Sequence, residues 1–327
     1  MDQTGARRGR IAPRQRGGKR RPGRLRFVPA LLAAAACAQA ANAGAADWVR
    51  HALEIGGVTR HYHLLRPTTG GAAPTLVLLH GALQDPLAFA DATGLPALAA
   101  REGVALVVPE TLDGHWNDGR QAVYFGTPSR ADDQGFLEAL LAGLAAQGIA
   151  DPAAVRLAGF SNGGLMALTL ACRPAAIRPA GLLVVAATLG ERLAAGCDPP
   201  RPLALVLANG TADDLFPFAG GMGMVNGRAG EPMLGAAATA AFVAARNGCG
   251  EPGPRATGAE AMGRGHAVTV TGYADCPPGG AVLQVTIDGG GHAWPSEAVR
   301  SLAAAAGLPG TASLAELAWA VFVPRAD

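Results

Sequence analysis

The chain has 327 residues, half of them hydrophobic, which is enough to bury a full core as one α/β domain or as two smaller domains. Its charge is uneven: ten of the 27 basic residues lie within residues 1–26, and the rest of the chain holds 17 basic and 24 acidic residues. That acidic excess argues against a nucleic-acid-binding protein.

Residues 1–43 have the layout of a secretory signal peptide. A basic region precedes the apolar stretch FVPALLAAAACAQAANA, which is too short for a membrane span and ends in small residues. We expect cleavage after Ala40 or Ala43, so that the mature protein is secreted or periplasmic. A competing interpretation is a lipoprotein box, AAAC, with Cys37 as the lipidated residue.

Beyond the leader, from residue 47 to residue 327, apolar runs of strand length alternate with helical stretches. The runs lack polar alternation, which predicts one α/β domain with a mostly parallel sheet and helices on both faces. Strands are expected over 75–80, 104–109, 155–160, 182–187, 203–208, 267–273 and 281–287, and helices over 86–101, over 132–148 and from Asn162 onward.

Residues 219–235 are unusually rich in glycine. We expect a long surface loop there, which either shapes a substrate entrance or is a tolerated insertion.

Four cysteines follow the leader: Cys172, Cys197, Cys249 and Cys276. Their even number, an oxidising compartment and the absence of a CxxC pair favour disulfides over zinc ligands. Local spacing favours Cys172–Cys197 and Cys249–Cys276, with the other connectivities and buried free thiols as alternatives.

Ser161 lies where a predicted strand turns into a helix. Gly159, Ser161 and Gly163 fit the pattern G-x-S-x-G in that context, whose sharp turn exposes a serine beside the free N–H groups of a helix start. The bland alternative is a tight turn that happens to contain serine. A nucleophilic serine also needs a base to remove its proton, so the pattern predicts a histidine and a carboxylate further along the chain.

The predicted base is His292, because it follows a strand behind three glycines, whereas His266 begins a strand. The predicted acid is Asp213, just past the strand at 203–208. The adjacent Asp214 stays open as an alternative. For either aspartate, the alternative to a catalytic role is a purely structural one in an Asx turn or a helix cap.

An oxyanion hole is expected from two backbone N–H groups. Asn162, directly after the serine, supplies one, and Ala82 in the segment LLHGALQD supplies the other, with Leu83 as the next candidate. His80 is expected to hold this loop by a local hydrogen bond.

Five ordered motifs carry a family resemblance: LHGALQD, WNDGR…DDQGFLEAL, GFSNGG, GTADDLFPF and DGGGHAWP. Together, from about Val58 to the end of the chain, they resemble the polyhydroxybutyrate depolymerase family of secreted esterases, whose relatives are feruloyl and acetylxylan esterases of α/β-hydrolase fold. Asp214 stands where the family often has proline. The resemblance implies the same roles by motif: nucleophile Ser161, base His292, acid Asp213, and oxyanion donors Asn162 and Ala82.

Three loop residues are candidates for lining the substrate pocket. Trp116, Asn117 and Trp294 are expected on exposed loops, where the aromatic rings would cover an acyl chain or stack on an aromatic acid, with loop packing as the alternative. Asp132 and Asp133 are expected to cap the following helix and complement its dipole.

These observations predict a secreted serine ester hydrolase that acts through an acyl-enzyme on hydroxyalkanoate, feruloyl or acetyl esters. The alternatives are a serine peptidase on the same scaffold and a non-catalytic secreted binding protein. Neither a cofactor nor a metal is expected, the expected partner is an ester substrate, and the oligomeric state stays open.

Overall fold

A ten-stranded sheet forms the centre of the protein. The computed structural model describes residues 47–67, 71–120, 129–173, 176, 178–199, 202–225, 228–262 and 266–323. The predicted signal peptide, with Cys37, lies outside the described residues.

Ten strands form the main sheet, and two further strands form a separate hairpin. Their bounds are β1 Val49–Ile55, β2 Val58–Leu65, β3 Ala73–Leu79, β4 Ala105–Pro109, β5 Ala150–Phe160, β6 Gly181–Val185, β7 Ala204–Gly210, β10 Pro252–Met262, β11 His266–Tyr273 and β12 Val282–Ile287; the separate hairpin pairs β8 Gly220–Val225 with β9 Arg228–Leu234. The order across the sheet is β1-β2-β4-β3-β5-β6-β7-β12-β11-β10. The six central strands, from β4 to β12, are parallel, and two antiparallel strands flank them on each side.

Helices cover both faces of this sheet. One face packs on α1 Pro86–Thr93, α2 Leu95–Glu102, α7 Arg300–Ala306 and α8 Leu314–Phe322, and the other on α3 Asp133–Ala146, α4 Asn162–Cys172, α5 Glu191–Ala195 and α6 Ala236–Asn247. The central strands are buried on both sides, which is why their sequences are continuously apolar. The predicted α/β architecture is confirmed.

Local signals set the helix ends. The Asp85 carboxylate caps α1 by accepting the Ala88 N–H. Gly94, with a φ of 74°, ends α1 and begins α2, so the predicted single helix over 86–101 is in fact two.

The expectation of a long loop over 219–235 is wrong, because most of this segment forms the β8–β9 hairpin. Its glycines allow close approach of backbone. A Cβ on Gly220, whose φ is 89°, would lie 2.6 Å from the Gly235 nitrogen. Met233 is buried in the core, which anchors the hairpin.

Two disulfides have the predicted pairing. Cys172, the last residue of α4, is bonded to Cys197 after α5, and Cys249 after α6 is bonded to Cys276 after β11. None of the described helices is both long and apolar enough to cross a bilayer.

Candidate active site

Ser161 occupies a sharp turn between β5 and α4. Its backbone has a φ of 53° and a ψ of −121°, and its N–H donates to the Val185 carbonyl at 2.9 Å. The flanking glycines are required by sterics: a Cβ on Gly159 would lie 2.4 Å from the Gly163 oxygen, and one on Gly163 would lie 2.0 Å from the Leu79 oxygen. The strained geometry costs about 1–3 kcal/mol and exposes the hydroxyl at the carboxyl edge of the sheet.

His292 connects the serine to a carboxylate. Its Nε2 lies 2.9 Å from Ser161 Oγ, and its Nδ1 lies 2.8 Å from Asp213 Oδ2. The Asp213 side chain is fully buried, and its Oδ1 accepts the N–H groups of Leu215 and Phe216, both at 2.9 Å. Because the carboxylate accepts from Nδ1, Nε2 is left free to accept the serine proton.

Aromatic rings hold the imidazole of His292 on two sides. The Phe160 ring is tilted against it at 5.1 Å between centroids, and the Phe216 ring stacks on it at 5.7 Å. These contacts restrict rotation of the imidazole, so that both of its hydrogen bonds persist together.

The structure brings Asp213, and not Asp214, to the histidine, since Asp214 is exposed. The other candidate histidine, His266, lies in β11 with its ring against Gly289. Sequence order alone left the choice between the two aspartates open.

Backbone contacts join the loop of Asp213 to the loop of His292. A Cβ on Gly210 would lie 2.0 Å from the Gly290 oxygen, and the Ala212 N–H donates to that same oxygen at 2.9 Å. Thr211 Oγ1 accepts the Gly289 N–H at 2.7 Å. The glycine at position 210 therefore permits this close loop-to-loop contact.

The two expected oxyanion donors are unengaged. Within the described part of the chain, the backbone N–H groups of Ala82 and Asn162 have no hydrogen-bond partner. The N–H of Leu83, the next candidate, donates to the Gly114 carbonyl at 2.7 Å. The geometry thus favours Ala82 over Leu83.

His80 holds the loop before Ala82, as expected. Its Nδ1 lies 2.8 Å from the Gly81 carbonyl oxygen, to which it donates. Burial lowers the pKa of the His80 imidazole, which favours the neutral form of the ring.

The prediction that Trp116 lies on an exposed loop is wrong. Its side chain is only 1% exposed, and its indole Nε1 donates to the His80 carbonyl at 2.9 Å. Its backbone N–H donates to Asn162 Oδ1 at 2.6 Å, and its carbonyl accepts from Asn162 Nδ2 at 3.1 Å. The sequence analysis did not predict these two hydrogen bonds of the Asn162 side chain. The sequence signal that could have indicated them is the tryptophan followed by Asn-Asp.

Asn117 is half-buried, and its backbone N–H and side-chain amide N–H are both hydrogen-bonded within the protein. Its backbone N–H donates to Asp133 Oδ2 at 2.6 Å, and its side-chain Nδ2 donates to the Ala131 carbonyl at 2.9 Å. Asp133 forms a buried ion pair with Arg60 at 2.6 Å, and burial raises the pKa of this carboxyl. Only Asp132 is the expected side-chain cap of α3.

Trp294 is the predicted pocket residue that borders a cavity. Its ring meets Phe89 edge-on at 5.5 Å, and it lines a cavity of about 490 Å³ together with Ala293, the neighbour of His292. A second cavity, of about 220 Å³, follows α4, and Leu165 in its wall is one helical turn beyond Ser161.

Comparisons with known proteins find esterases among the relatives of this chain. No family model matches the chain. The chain is 29% identical over 256 residues to the putative esterase NocK of Nocardia uniformis subsp. tsuyamanensis, covering 74% of this chain and 72% of that protein. It is 27% identical over 231 residues to feruloyl esterase B of Piromyces equi, covering 68% of this chain and 40% of that longer protein.

The fold also has a solved counterpart. The acetyl xylan esterase from Aspergillus awamori superposes with a TM-score of 0.52 at 13% identity, covering 76% of this chain and 95% of that one. The protein is therefore a carboxylic ester hydrolase of the α/β-hydrolase fold. The resemblance to esterases seen in the sequence motifs is confirmed by these relatives, one of which is named a feruloyl esterase.

Proposed function

We propose that this ester hydrolase works through Ser161 as nucleophile, His292 as general base and Asp213 as the orienting acid, with a covalent acyl-enzyme. The observation that carries the proposal is the unbroken hydrogen-bond path from the serine hydroxyl through the imidazole to the buried carboxylate. A strained serine with these two partners has the geometry that activates a hydroxyl for attack.

The reaction follows from the roles of these groups. Ser161 Oγ attacks the ester carbonyl carbon while its proton passes to His292 Nε2, and Asp213 stabilises the imidazolium. The carbonyl oxygen becomes an oxyanion, which the N–H groups of Ala82 and Asn162 stabilise. The tetrahedral intermediate then expels the alcohol, which takes the proton from the imidazolium. Water, deprotonated by the same imidazole, attacks the acyl-enzyme and releases the acid.

For the substrate we propose hydroxyalkanoate esters or feruloyl and acetyl esters. The sequence motifs support this range, as does the relative named as a feruloyl esterase. The cavity beside Trp294 is large enough for an aromatic or hydroxyacyl group, and the cavity beside Leu165 has an apolar wall within one turn of the nucleophile. Rates on soluble hydroxybutyrate oligomers, methyl ferulate and acetylated xylo-oligosaccharides, measured in parallel, rank these substrates.

The direct test is hydrolysis of short-chain nitrophenyl esters. Ser161→Ala is expected to abolish turnover and labelling by a fluorophosphonate probe, while Ser301→Ala, a serine of α7, keeps both. A protein that neither hydrolyses an ester panel nor reacts with the probe is a binding protein, and faster cleavage of peptide amides than of esters indicates a peptidase.

We further propose that residues 1–43 direct export of the protein. Two disulfides support this, because such bonds persist in oxidising compartments. Mass spectrometry of the exported protein should show a new N-terminus after Ala40 or Ala43. A lipidated Cys37 establishes the lipoprotein alternative, and an uncleaved chain in the cytoplasm contradicts both.

A further inference from the structure

The Asn162 side chain links its own backbone N–H to a neighbouring loop. Its Oδ1 accepts the Trp116 N–H at 2.6 Å, and its Nδ2 donates to the Trp116 carbonyl at 3.1 Å and to Asp118 Oδ2 at 2.8 Å. One amide therefore fixes both backbone polar groups of Trp116. The residue that carries the first proposed oxyanion donor is therefore bonded to this tryptophan twice.

The indole of Trp116 continues the connection towards the second donor. Its Nε1 donates to the His80 carbonyl at 2.9 Å, and His80 Nδ1 donates to the Gly81 carbonyl at 2.8 Å. The Gly81 carbonyl and the Ala82 N–H belong to one planar peptide unit, so an anchored carbonyl sets the direction of the N–H. A continuous path thus runs from one oxyanion donor to the other.

The far side of the path is anchored as well. The Asp118 carboxylate also binds the Arg120 guanidinium at 2.7 Å, and its backbone carbonyl accepts the Thr169 hydroxyl at 2.8 Å. Trp116 is almost fully buried, with its backbone and indole polar groups all bonded inside the protein. Hydrogen bonds shielded from water in this way hold their geometry better than exposed ones.

We infer that Trp116 and the side chain of Asn162 are positioning residues that fix the distance and direction between the N–H groups of Ala82 and Asn162. The inference rests on the proposed function, since it concerns the oxyanion hole of that reaction. It assigns Trp116 to stabilisation of the transition state rather than to the wall of a substrate pocket.

Trp116→Phe tests the inference because it keeps an aromatic ring and removes the indole N–H. We expect kcat on nitrophenyl butyrate to fall about 10- to 100-fold, less than the loss of a whole oxyanion donor, with KM changed less than about twofold. Affinity for an alkyl boronic acid, which forms a tetrahedral anionic adduct with the serine, should fall by a similar factor. A tryptophan that only supports the fold would not weaken this adduct while leaving KM unchanged.

Two further variants complete the experiment. Asn162→Asp keeps the size of the side chain but puts an acceptor against the Trp116 carbonyl and Asp118, so it should weaken the boronic acid adduct in the same way. If Trp116→Phe does not fold, Asn162→Asp on its own tests the inference. Trp319→Phe in α8, whose ring lies 5.3 Å from the Arg156 guanidinium, is the matched control and should leave both quantities within about twofold.

Three results overturn the inference. The first is wild-type boronic acid affinity in folded Trp116→Phe and Asn162→Asp, and the second is a rise in KM with kcat unchanged, which indicates a pocket wall. The third is equal loss in the Trp319→Phe control. If the wild-type protein shows no serine-dependent ester hydrolysis, the proposed function has failed instead, and that result is read from Ser161→Ala alone.

Discussion

Replacing Asp213 by asparagine removes the charge behind His292 with almost no change in size. Asp213 Oδ1 accepts two backbone N–H groups, and Oδ2 accepts from His292. If the asparagine oxygen stays with the N–H groups, its NH₂ faces Nδ1, which must become an acceptor, and the imidazole proton moves to Nε2. In that tautomer Nε2 cannot take the Ser161 proton. If the amide is turned over, its NH₂ opposes the two N–H donors instead.

The expected loss follows from that wrong tautomer in an otherwise intact site. Such a change lowers kcat by about 10⁴, equivalent to about 5.5 kcal/mol of transition-state stabilisation. The assay is steady-state hydrolysis of nitrophenyl butyrate, with Asp214→Asn as the matched control at an exposed neighbouring position. The reasoning is refuted if Asp213→Asn keeps more than about a tenth of wild-type kcat, or if Asp214→Asn loses as much.

Three further predictions concern stability. Gly163→Ala places a Cβ 2.0 Å from a backbone oxygen of β3 and should prevent stable folding. Gly143→Ala in α3 meets open space, so it should raise the free energy of unfolding by up to about 1 kcal/mol. Similar urea midpoints for the two variants would contradict this. The double variant Cys172→Ala, Cys197→Ala should lose about 3 kcal/mol in urea unfolding, and an unchanged midpoint would show that the bond adds nothing. Burial lowers the pKa of His80, so below about pH 6.5 the unfolded chain binds the proton more readily and the free energy of unfolding falls. His80→Gln should therefore reduce the dependence of the melting temperature on pH. An equal pH dependence in the variant and the wild type would argue against this.

The central fold was predictable because its strands are buried on both faces. Runs such as 75–80 and 203–208 are continuously apolar for that reason, and they coincide with β3 and β7. The order of Ser161, Asp213 and His292 was predictable because the parallel strands bring their carboxyl ends to one edge, where each residue follows a strand.

The remaining features depend on contacts that are distant in the sequence. The glycines of 219–235 indicated a loop, since nothing local shows that Met233 is buried beneath the hairpin. A tryptophan in a polar loop is equally compatible with a pocket wall and with burial. The partners that hold Trp116 in the interior, His80 and Asn162, lie 36 and 46 residues away in the sequence, so no local pattern could reveal them.

The contact between Gly210 and Gly290 sets a limit on how this enzyme can diversify. Main chain touches main chain there, with no side chain between, so a side chain on Gly210 would force apart the loops that carry the proposed base and acid. Changes that adapt the protein to new esters are therefore expected in the linings of the two cavities rather than at this contact. The same contact, with the Ala212 N–H bond to the Gly290 carbonyl, joins the two loops through the fold itself and without any bound substrate.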